Sequence, residues 1–318
     1  MARAKALSMT GAHIHAHGHI HAAHGTLMRR TAWAAVAVAG VLIAMKLVAY
    51  IMTDSIAMMA SLADSGLDIF ASSINLLAIR QALTPADAEH RFGHGKAEPL
   101  AGLMQGAFIA GSVAFLSIES VSRLIEPHAI ERGGVALGVM GVSIALTLGL
   151  VLLQQITVAR TGSLAIGADR MHYVGDLLTN AGVILGVVLS TQFGILEADP
   201  VIGLGVAAVL SISAWHVFRQ SYDQLMDREL PDAERDRIKA IVMRHPDVLN
   251  LHDLRTRMAG ISTFIQLHIE LDPAISLTRA HELSDEVEAE ILSAFPHCEV
   301  IIHQDPAGLE RPPALARS

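Results

Sequence analysis

SLADSGLDIF, residues 61–70, carries two carboxylates, Asp64 and Asp68, inside a long apolar run. The run covers residues 56–79, contains neither proline nor a basic residue, and is long enough to cross a bilayer as one helix. The (i, i+4) spacing places both carboxylates on one helical face, one turn apart. An aspartate at membrane depth costs about 3 kcal/mol on insertion scales. The pattern therefore favours a membrane helix whose carboxylates face a partner, a cavity or an ion over a polar face in a soluble helical bundle.

The composition of the whole chain also indicates a membrane protein. Of its 318 residues, 52% are hydrophobic and 17% are charged, whereas soluble domains have about 25% charged residues. A net charge of −8 gives no signal for nucleic-acid binding. The single cysteine, Cys298, excludes an internal disulfide and a thiolate cluster. A metal would therefore be bound by oxygen and imidazole, and the chain has 17 histidines.

Six apolar segments, each near or above the roughly 20 residues of a spanning helix, are predicted to cross the membrane. They cover residues 31–52, 56–81, 99–124, 134–157, 163–191 and 200–222. Lysine and arginine are concentrated in the loops that would lie on one side of the membrane together with the two termini. Because such loops are usually cytoplasmic, both termini are predicted to be cytoplasmic. No cleavable signal peptide is visible at the N-terminus.

The chain divides into four predicted parts. Residues 1–28 read as a histidine-rich tail without regular structure, either a weak metal binder or a passive segment. Residues 29–225 form a six-helix transmembrane domain. Residues 226–306 follow the order α-β-β-α-β, with a hairpin at Gly260, and predict a small α+β domain with a three-stranded sheet. Residues 307–318 read as a flexible tail.

A second pair of polar residues lies in the fifth apolar segment, in ADRMHYVGDLL. His172 and Asp176 are again spaced (i, i+4) and share one helical face. Together with Asp64 and Asp68 they offer three carboxylates and one imidazole. Such a set suits a tetrahedral site for Zn²⁺, which accepts nitrogen and oxygen ligands. The two pairs therefore predict one ion site between two membrane helices.

Six motifs spread over residues 30–306 give the chain a family resemblance. They are LADSGLD, TPADAEHRFGHGKAE, HYVGD, LHDLRTR, FIQLHIE and VIIHQDP. In this order they resemble the cation diffusion facilitator family, and in particular its bacterial zinc/proton antiporters. The resemblance implies six transmembrane helices, a cytoplasmic metallochaperone-like domain, a homodimer and a bacterial inner membrane. A histidine at position 172 is similar to the zinc and cadmium pattern of the family.

The loop between the second and third segments holds a further candidate site. Asp87, His90 and His94 have (i, i+3) and (i, i+4) spacing, and the glycines around His94 allow the backbone to bend. From the residues alone, solvated histidines are the alternative. The resemblance implies a second metal site here.

The C-terminal domain carries a third candidate set. His303 and Asp305 are two residues apart in a predicted strand and share a face. The resemblance implies a binuclear cytoplasmic site, with a histidine contributed by the dimer partner at position 281 and with Gln304 contributing its carbonyl oxygen. It also implies a charge pair, Lys96 and Asp227, at the membrane–cytoplasm junction. The ligands that it implies are His252, His268, His281, His303 and Asp305.

These features predict a secondary active transporter, not an enzyme. It would export Zn²⁺, together with Cd²⁺, from the cytoplasm in exchange for protons by alternating access. Its partners would be the lipid bilayer, divalent metal ions, protons and a second copy of the chain, without nucleic acid. Two alternatives stay open at this point: an exporter of Fe²⁺ with the same fold, since its ligand preferences overlap those of zinc, and a membrane metal sensor that does not transport.

Overall fold

A computed structural model describes most of the chain: residues 2–53, 56–125, 134–193, 195 and 197–308. Side chains are described from Ala23 onward, apart from a small number of helix positions. The chain forms two compact units. One comprises Ala23–Tyr222, and the other comprises Met1–Ala22 together with Asp223–Ser318.

The first unit is built of long helices whose positions agree with the predicted apolar segments to within a few residues, except at the start of the first. In the described residues, four helical stretches have the length and composition of a membrane span: Ala23–Met52, Ala97–Ile125, Gly138–Thr161 and Ala198–Leu225. The helices that carry the predicted ligand pairs, α2 and α5, have 27 and 30 residues, which is about 40–45 Å of helix. The six helices are α1 (Ala2–Thr53), α2 (Ile56–Ala82), α3 (Ala97–Ile125), α4 (Gly134–Thr161), α5 (Leu164–Phe193) and α6 (Ala198–Leu225).

The first helix differs from the prediction at its N-terminal end. The histidine-rich residues 1–28 were expected to lack regular structure, but α1 begins at Ala2. The segment is rich in alanine and contains no proline, and alanine has the highest helix propensity of all residues. The side chains of His13 to His21 lie outside the described residues, so metal capture by this segment stays a prediction.

Polar contacts between helices fix the position of α5 in the first unit. The buried Ser72 and Tyr173 hydroxyls are hydrogen-bonded at 2.7 Å and join α2 to α5. Glu98, also buried, accepts a hydrogen bond from Ser163 Oγ at 2.5 Å and one from the Ala165 backbone N–H at 3.3 Å. A carboxylate that caps the first turn of a helix satisfies N–H groups that lack a partner inside the helix. Glu98 therefore ties α3 to the start of α5.

The C-terminal unit has the predicted α-β-β-α-β order. Its sheet has the strand order β1-β2-β3, with β1 and β2 antiparallel and β2 and β3 parallel. Gly260 connects the hairpin with φ +61°, a conformation that glycine adopts without steric cost. The elements are α7 (Asp232–Val242), β1 (Asn250–Ala259), β2 (Ser262–Leu271), α8 (Leu277–Ala294) and β3 (Cys298–Pro306). Residues 309–318, within the predicted flexible tail, lie outside the described residues.

One face of this sheet is the core of the domain. Ile265, Leu267 and Ile269 alternate along β2 and are 0–1% exposed. They pack with α8 residues such as Leu283 and Val287, and burial of each such side chain contributes about 1.5–3 kcal/mol. Because successive strand residues point to opposite faces, His268 lies on the other face of the sheet. The apolar residues of β2 therefore occupy one face of the sheet, and polar residues such as His268 occupy the other.

Candidate metal centres

Three polar side chains meet between α2 and α5. His172 Nε2 lies 3.0 Å from Asp68 Oδ1 and 4.0 Å from Asp176 Oδ2. Each residue offers one ligand atom within 4.8 Å of the others. Asp68 and His172 are 5% and 7% exposed, and Asp176 is partly buried. The structure thus brings together three of the four residues that the sequence predicts for the membrane site.

The fourth predicted residue, Asp64, is placed differently. It lies one turn before Asp68 on α2, but it is exposed and does not belong to the close group of three. Four residues of helix correspond to an axial shift of about 6 Å. The spacing therefore gives Asp64 and Asp68 the same face but different depths.

A layer of buried polar groups supports the three side chains. Ser72, one turn after Asp68, bonds Tyr173, the neighbour of His172. Asp169, one turn before His172, is 1% exposed and accepts hydrogen bonds from Gln105 Nε2 at 2.8 Å and Gln154 Nε2 at 2.7 Å. Because these glutamines belong to α3 and α4, Asp169 fixes the rotation of α5 relative to both helices. Hydrogen-bonded partners of this kind orient the groups that hold a metal.

Two charged residues near this centre were missed by the sequence reasoning. Asp169 was not singled out, although it stands in the fifth apolar segment. Lys46 was not singled out, although it stands in the apolar stretch VLIAMKLVAY. In the structure its Nζ donates hydrogen bonds to Ser65 Oγ at 2.6 Å and to the Ser61 carbonyl at 3.2 Å. A charged residue within a predicted span was the available signal in both cases.

The loop site is also assembled by the structure. Asp87 Oδ1 lies 3.3 Å from His90 Nδ1, and Asp87 Oδ2 lies 3.4 Å from His94 Nε2. The two imidazole rings are 4.5 Å apart between centroids. The His94 side chain is 7% exposed, whereas those of Asp87 and His90 are about half exposed. The group therefore forms an open site of three ligands at the surface.

Backbone hydrogen bonds hold the Asp87 carboxylate in this group. Its Oδ1 accepts hydrogen bonds from the N–H groups of His90 at 2.6 Å and Glu89 at 2.9 Å. These bonds, that of His90 above all, lower the pKa of the Asp87 carboxyl. Hydrogen bonds to the charged form of a carboxylate favour that form. Asp87 is thus held as an ionised ligand.

A row of imidazoles crosses all three strands of the cytoplasmic sheet. His252 pairs with His268 across β1 and β2, and His268 pairs with His303 across β2 and β3. The centroids of neighbouring rings are 5.0 Å and 4.6 Å apart. Register alone therefore places three histidines of distant sequence position side by side.

Asp305 connects these histidines. Its Oδ2 lies 2.8 Å from His268 Nδ1 and 3.4 Å from His252 Nε2, and its Oδ1 lies 3.3 Å from His303 Nε2. His268, His303 and Asp305 offer ligand atoms within 4.8 Å of one another. Asp305 and His303 share a strand face, as the two-residue spacing predicted.

Asp253 forms a further close group with His252 and His268 that the sequence reasoning missed. It has φ +47°, and the β1–β2 register shifts between His252 and Arg255. A bulge of this kind redirects a side chain that strict alternation would send to the opposite face. Strand periodicity alone could not find Asp253.

The remaining predicted residues of the C-terminal unit lie away from this row. His281 is on α8, with its side chain 71% exposed and 3.7 Å from Asp285. Its role as a ligand from a dimer partner stays a prediction. Gln304 donates a hydrogen bond to Ser284 Oγ on α8 at 2.7 Å. Cys298 is half-buried, and burial raises the pKa of its thiol to about 11. It belongs to none of the close groups of possible metal ligands among the described residues.

The predicted charge pair has one member in each unit. Asp227 Oδ1 lies 3.6 Å from Arg257 Nη1, and the Arg257 guanidinium stacks over the Phe264 ring at 4.2 Å. Asp227 therefore pairs with an arginine of the C-terminal unit, to which it belongs itself. Its pairing with Lys96 stays a prediction.

Comparison with known families agrees with this arrangement of two units. Residues 32–226 match the model of the cation efflux transmembrane domain. Residues 230–307 match the model of the cation efflux protein cytoplasmic domain. The chain therefore belongs to the cation efflux family, the cation diffusion facilitators, and is an integral membrane protein.

Similar proteins include two bacterial cation-efflux pumps named FieF. That of Shewanella oneidensis is 47% identical over 277 residues, covering 87% of this chain and 93% of the relative. That of Salmonella paratyphi A is 43% identical over 286 residues, covering 90% and 95%. Among solved structures, the zinc form of CzrB is 34% identical over 27% of this chain and 99% of its own, with a TM-score of 0.26. The metal-bound C-terminal domain of the CzcD transporter from Thermotoga maritima is 36% identical over 26% of this chain and 100% of its own, with a TM-score of 0.24.

Proposed function

We propose that this protein exports Zn²⁺, together with Cd²⁺, from the cytoplasm in exchange for protons. The observation that carries the proposal is the group of Asp68, His172 and Asp176 between two long helices. Carboxylate oxygen and imidazole nitrogen are ligands that Zn²⁺ accepts. Family membership and the cation-efflux names of its relatives support transport of a cation.

Exchange for protons follows from the chemistry of the ligands. A metal binds to ionised carboxylates and to a neutral imidazole, so protons and metal compete for the same atoms. In the inward-facing state the site takes the metal from the cytoplasm. In the outward-facing state protons displace it and return through the same site. Asp64, one turn from Asp68, completes the ligand set when α2 and α5 move relative to each other.

The proposed arrangement in the membrane has six spans, α1 to α6. The excess of arginine and lysine in the loops on one side supports a cytoplasmic position for both termini. The bacterial origin of its relatives supports a bacterial inner membrane. The cytoplasmic domain, which matches a family domain named for dimerisation, joins two copies into a homodimer. Lys96 and Asp227 form a charge pair that serves as a pivot between the two halves of the dimer.

The other two centres regulate transport. The cytoplasmic row of His252, His268, His303 and Asp305 binds metal with His281 of the second copy. Metal bound there shifts the equilibrium between conformations of the dimer, because it binds to one conformation more tightly than to the other. The loop site of Asp87, His90 and His94 is more open and serves as a weaker binding site near the membrane surface.

The test is a flux assay on purified protein in proteoliposomes. Zn²⁺, Cd²⁺, Fe²⁺ and Mn²⁺ are compared singly and in competition, with and without a pH gradient. The proposal predicts that zinc flux is fastest, that cadmium competes with it, and that a pH gradient drives zinc against its own gradient. Preferred transport of Fe²⁺ would assign the protein to iron export. A metal-dependent conformational change without flux would assign it to sensing.

A further inference from the structure

Lys46 lies near the membrane metal centre but has no role in the proposed exchange of metal for protons. Lys46 lies in the candidate span Ala23–Met52 and is partly buried. A lysine at membrane depth costs about 3 kcal/mol on insertion scales and usually faces a partner or a functional site. A charge kept in such a place calls for a physical reason.

The hydrogen bonds of Lys46 place its ammonium on the ligand face of α2. Its Nζ binds Ser65 Oγ at 2.6 Å and the Ser61 carbonyl at 3.2 Å. Ser61, Ser65 and Asp68 are spaced i, i+4 and i+7, which is one face of a helix. The ammonium therefore lies on the face that carries Asp68, displaced along the helix towards the N-terminal end of α2.

The charge of Lys46 lies next to the part of α2 that carries the predicted carboxylates. Ser65, whose hydroxyl it contacts at 2.6 Å, directly follows Asp64 and lies three residues before Asp68. The three predicted carboxylates carry three negative charges, so a divalent ion with a neutral His172 leaves one negative charge uncompensated. One ammonium cancels that charge. A neutral group of charges is held at membrane depth at lower cost than a charged one.

We propose that Lys46 is a tethered counter-charge of the membrane metal centre and sets how tightly a divalent cation is held. Its positive charge neutralises the net negative charge of the centre with metal bound. The same charge repels the bound cation, so it weakens binding and speeds release. Lys46 does not itself ligate the metal. The proposal rests on the proposed function, because it concerns the same centre.

A structural role makes a different prediction. If Lys46 only ties α1 to α2 through its hydrogen bonds, removal of the Ser65 hydroxyl should reproduce the effect of removing the lysine. If its charge matters, arginine should replace lysine and the Ser65 hydroxyl should be dispensable. The two roles therefore separate by substitution.

The experiment measures zinc flux in proteoliposomes for Lys46→Met, Lys46→Gln, Lys46→Arg and Ser65→Ala. Lys239→Met serves as the matched control, because Lys239 is exposed on α7 and pairs with Asp236 at 3.1 Å. For the neutral variants the zinc concentration at half-maximal flux should fall by on the order of tenfold, and the maximal rate should fall because release is slower. The arginine, Ser65→Ala and Lys239→Met proteins should behave as the wild type. If the methionine variant does not fold, the glutamine variant carries the same expectation.

An unchanged or raised half-saturating zinc concentration in both neutral variants would overturn the proposal, and so would a Ser65→Ala protein that matches Lys46→Met. Absence of flux in the wild type would refute the proposed function instead. In that case zinc affinity measured in detergent, with Asp68→Ala protein subtracted as background, still tests Lys46. Equal affinities of the wild type and Lys46→Met would then overturn it.

Discussion

Replacement of Asp305 by asparagine tests the cytoplasmic centre most sharply. The Asp305 carboxylate lies within 3.4 Å of one imidazole nitrogen of each of His252, His268 and His303. The asparagine side chain would keep the shape and one acceptor oxygen, but it would remove the negative charge and turn an N–H₂ group towards an imidazole. Loss of an outer-shell partner costs about 10- to 100-fold in metal affinity. Loss of this direct ligand should therefore cost about 100-fold, or about 2.8 kcal/mol.

Zinc titration with a competing fluorescent chelator measures this loss. The titration is made in the Asp68→Ala background, so that the membrane centre does not contribute. Asp236→Asn is the matched control, because Asp236 is an exposed carboxylate on α7 that pairs with Lys239 and lies outside the row. An Asp305→Asn protein with the affinity of its parent would refute the assignment of Asp305 as a ligand. An equal loss in Asp236→Asn would show that the loss comes from a change in net charge and not from a lost ligand.

Three further substitutions test other parts of the structure. Asp169→Asn leaves one glutamine donor facing an amide N–H₂ group and should lower the free energy of unfolding in detergent by about 2 kcal/mol, whereas unchanged thermal unfolding would contradict this. The pKa of Asp87 is lowered in the folded loop, so its contribution to stability is present above the unfolded pKa and is lost only as the pH falls through the folded value. Asp87 therefore stays ionised at pH 5 as it is at pH 7, so Asp87→Asn should weaken zinc binding at the loop by the same factor at both pH values, and a smaller loss at pH 5 would contradict this. Because Cys298 belongs to none of the close groups of possible ligands among the described residues, Cys298→Ser should leave zinc affinity unchanged at pH 7, and a tenfold loss would show a thiolate ligand.

The helices were predictable because each apolar segment is near or above the roughly 20 residues that a membrane-spanning helix needs. Likewise, apolar residues alternate along β2, and such alternation is typical of a strand with one buried face. The start of α1 was not predictable in this way. Residues 1–28 alternate histidine with small residues and give no amphipathic pattern, and the helix there agrees with alanine content instead.

The ligand sets were predictable where helix or strand periodicity acts on neighbouring residues. Spacing alone paired His172 with Asp176 and His303 with Asp305. It could not give the contact between Lys46 and α2 or the meeting of Asp169 with Gln105 and Gln154, because these depend on how helices pack. Such contacts join residues far apart in sequence, and one sequence carries no record of their distance.

Backbone irregularity and depth account for the other differences. Asp253 reaches the histidine row through a left-handed backbone conformation at a bulge, which period-two reasoning does not anticipate. Asp64 shares a face with Asp68, but spacing does not state how far each side chain is buried. The sequence therefore predicts which faces carry the chemistry better than it predicts which atoms meet.

The proposed transport site consists of Asp68, His172 and Asp176. Anomalous diffraction at the zinc absorption edge, from crystals of the protein grown with zinc, would locate the bound ion. We expect a zinc peak between these three side chains, and the loss of that peak in Asp68→Ala protein while the peak at the cytoplasmic histidine row is kept. Zinc peaks confined to the cytoplasmic domain, in protein that still carries zinc across vesicle membranes, would contradict it.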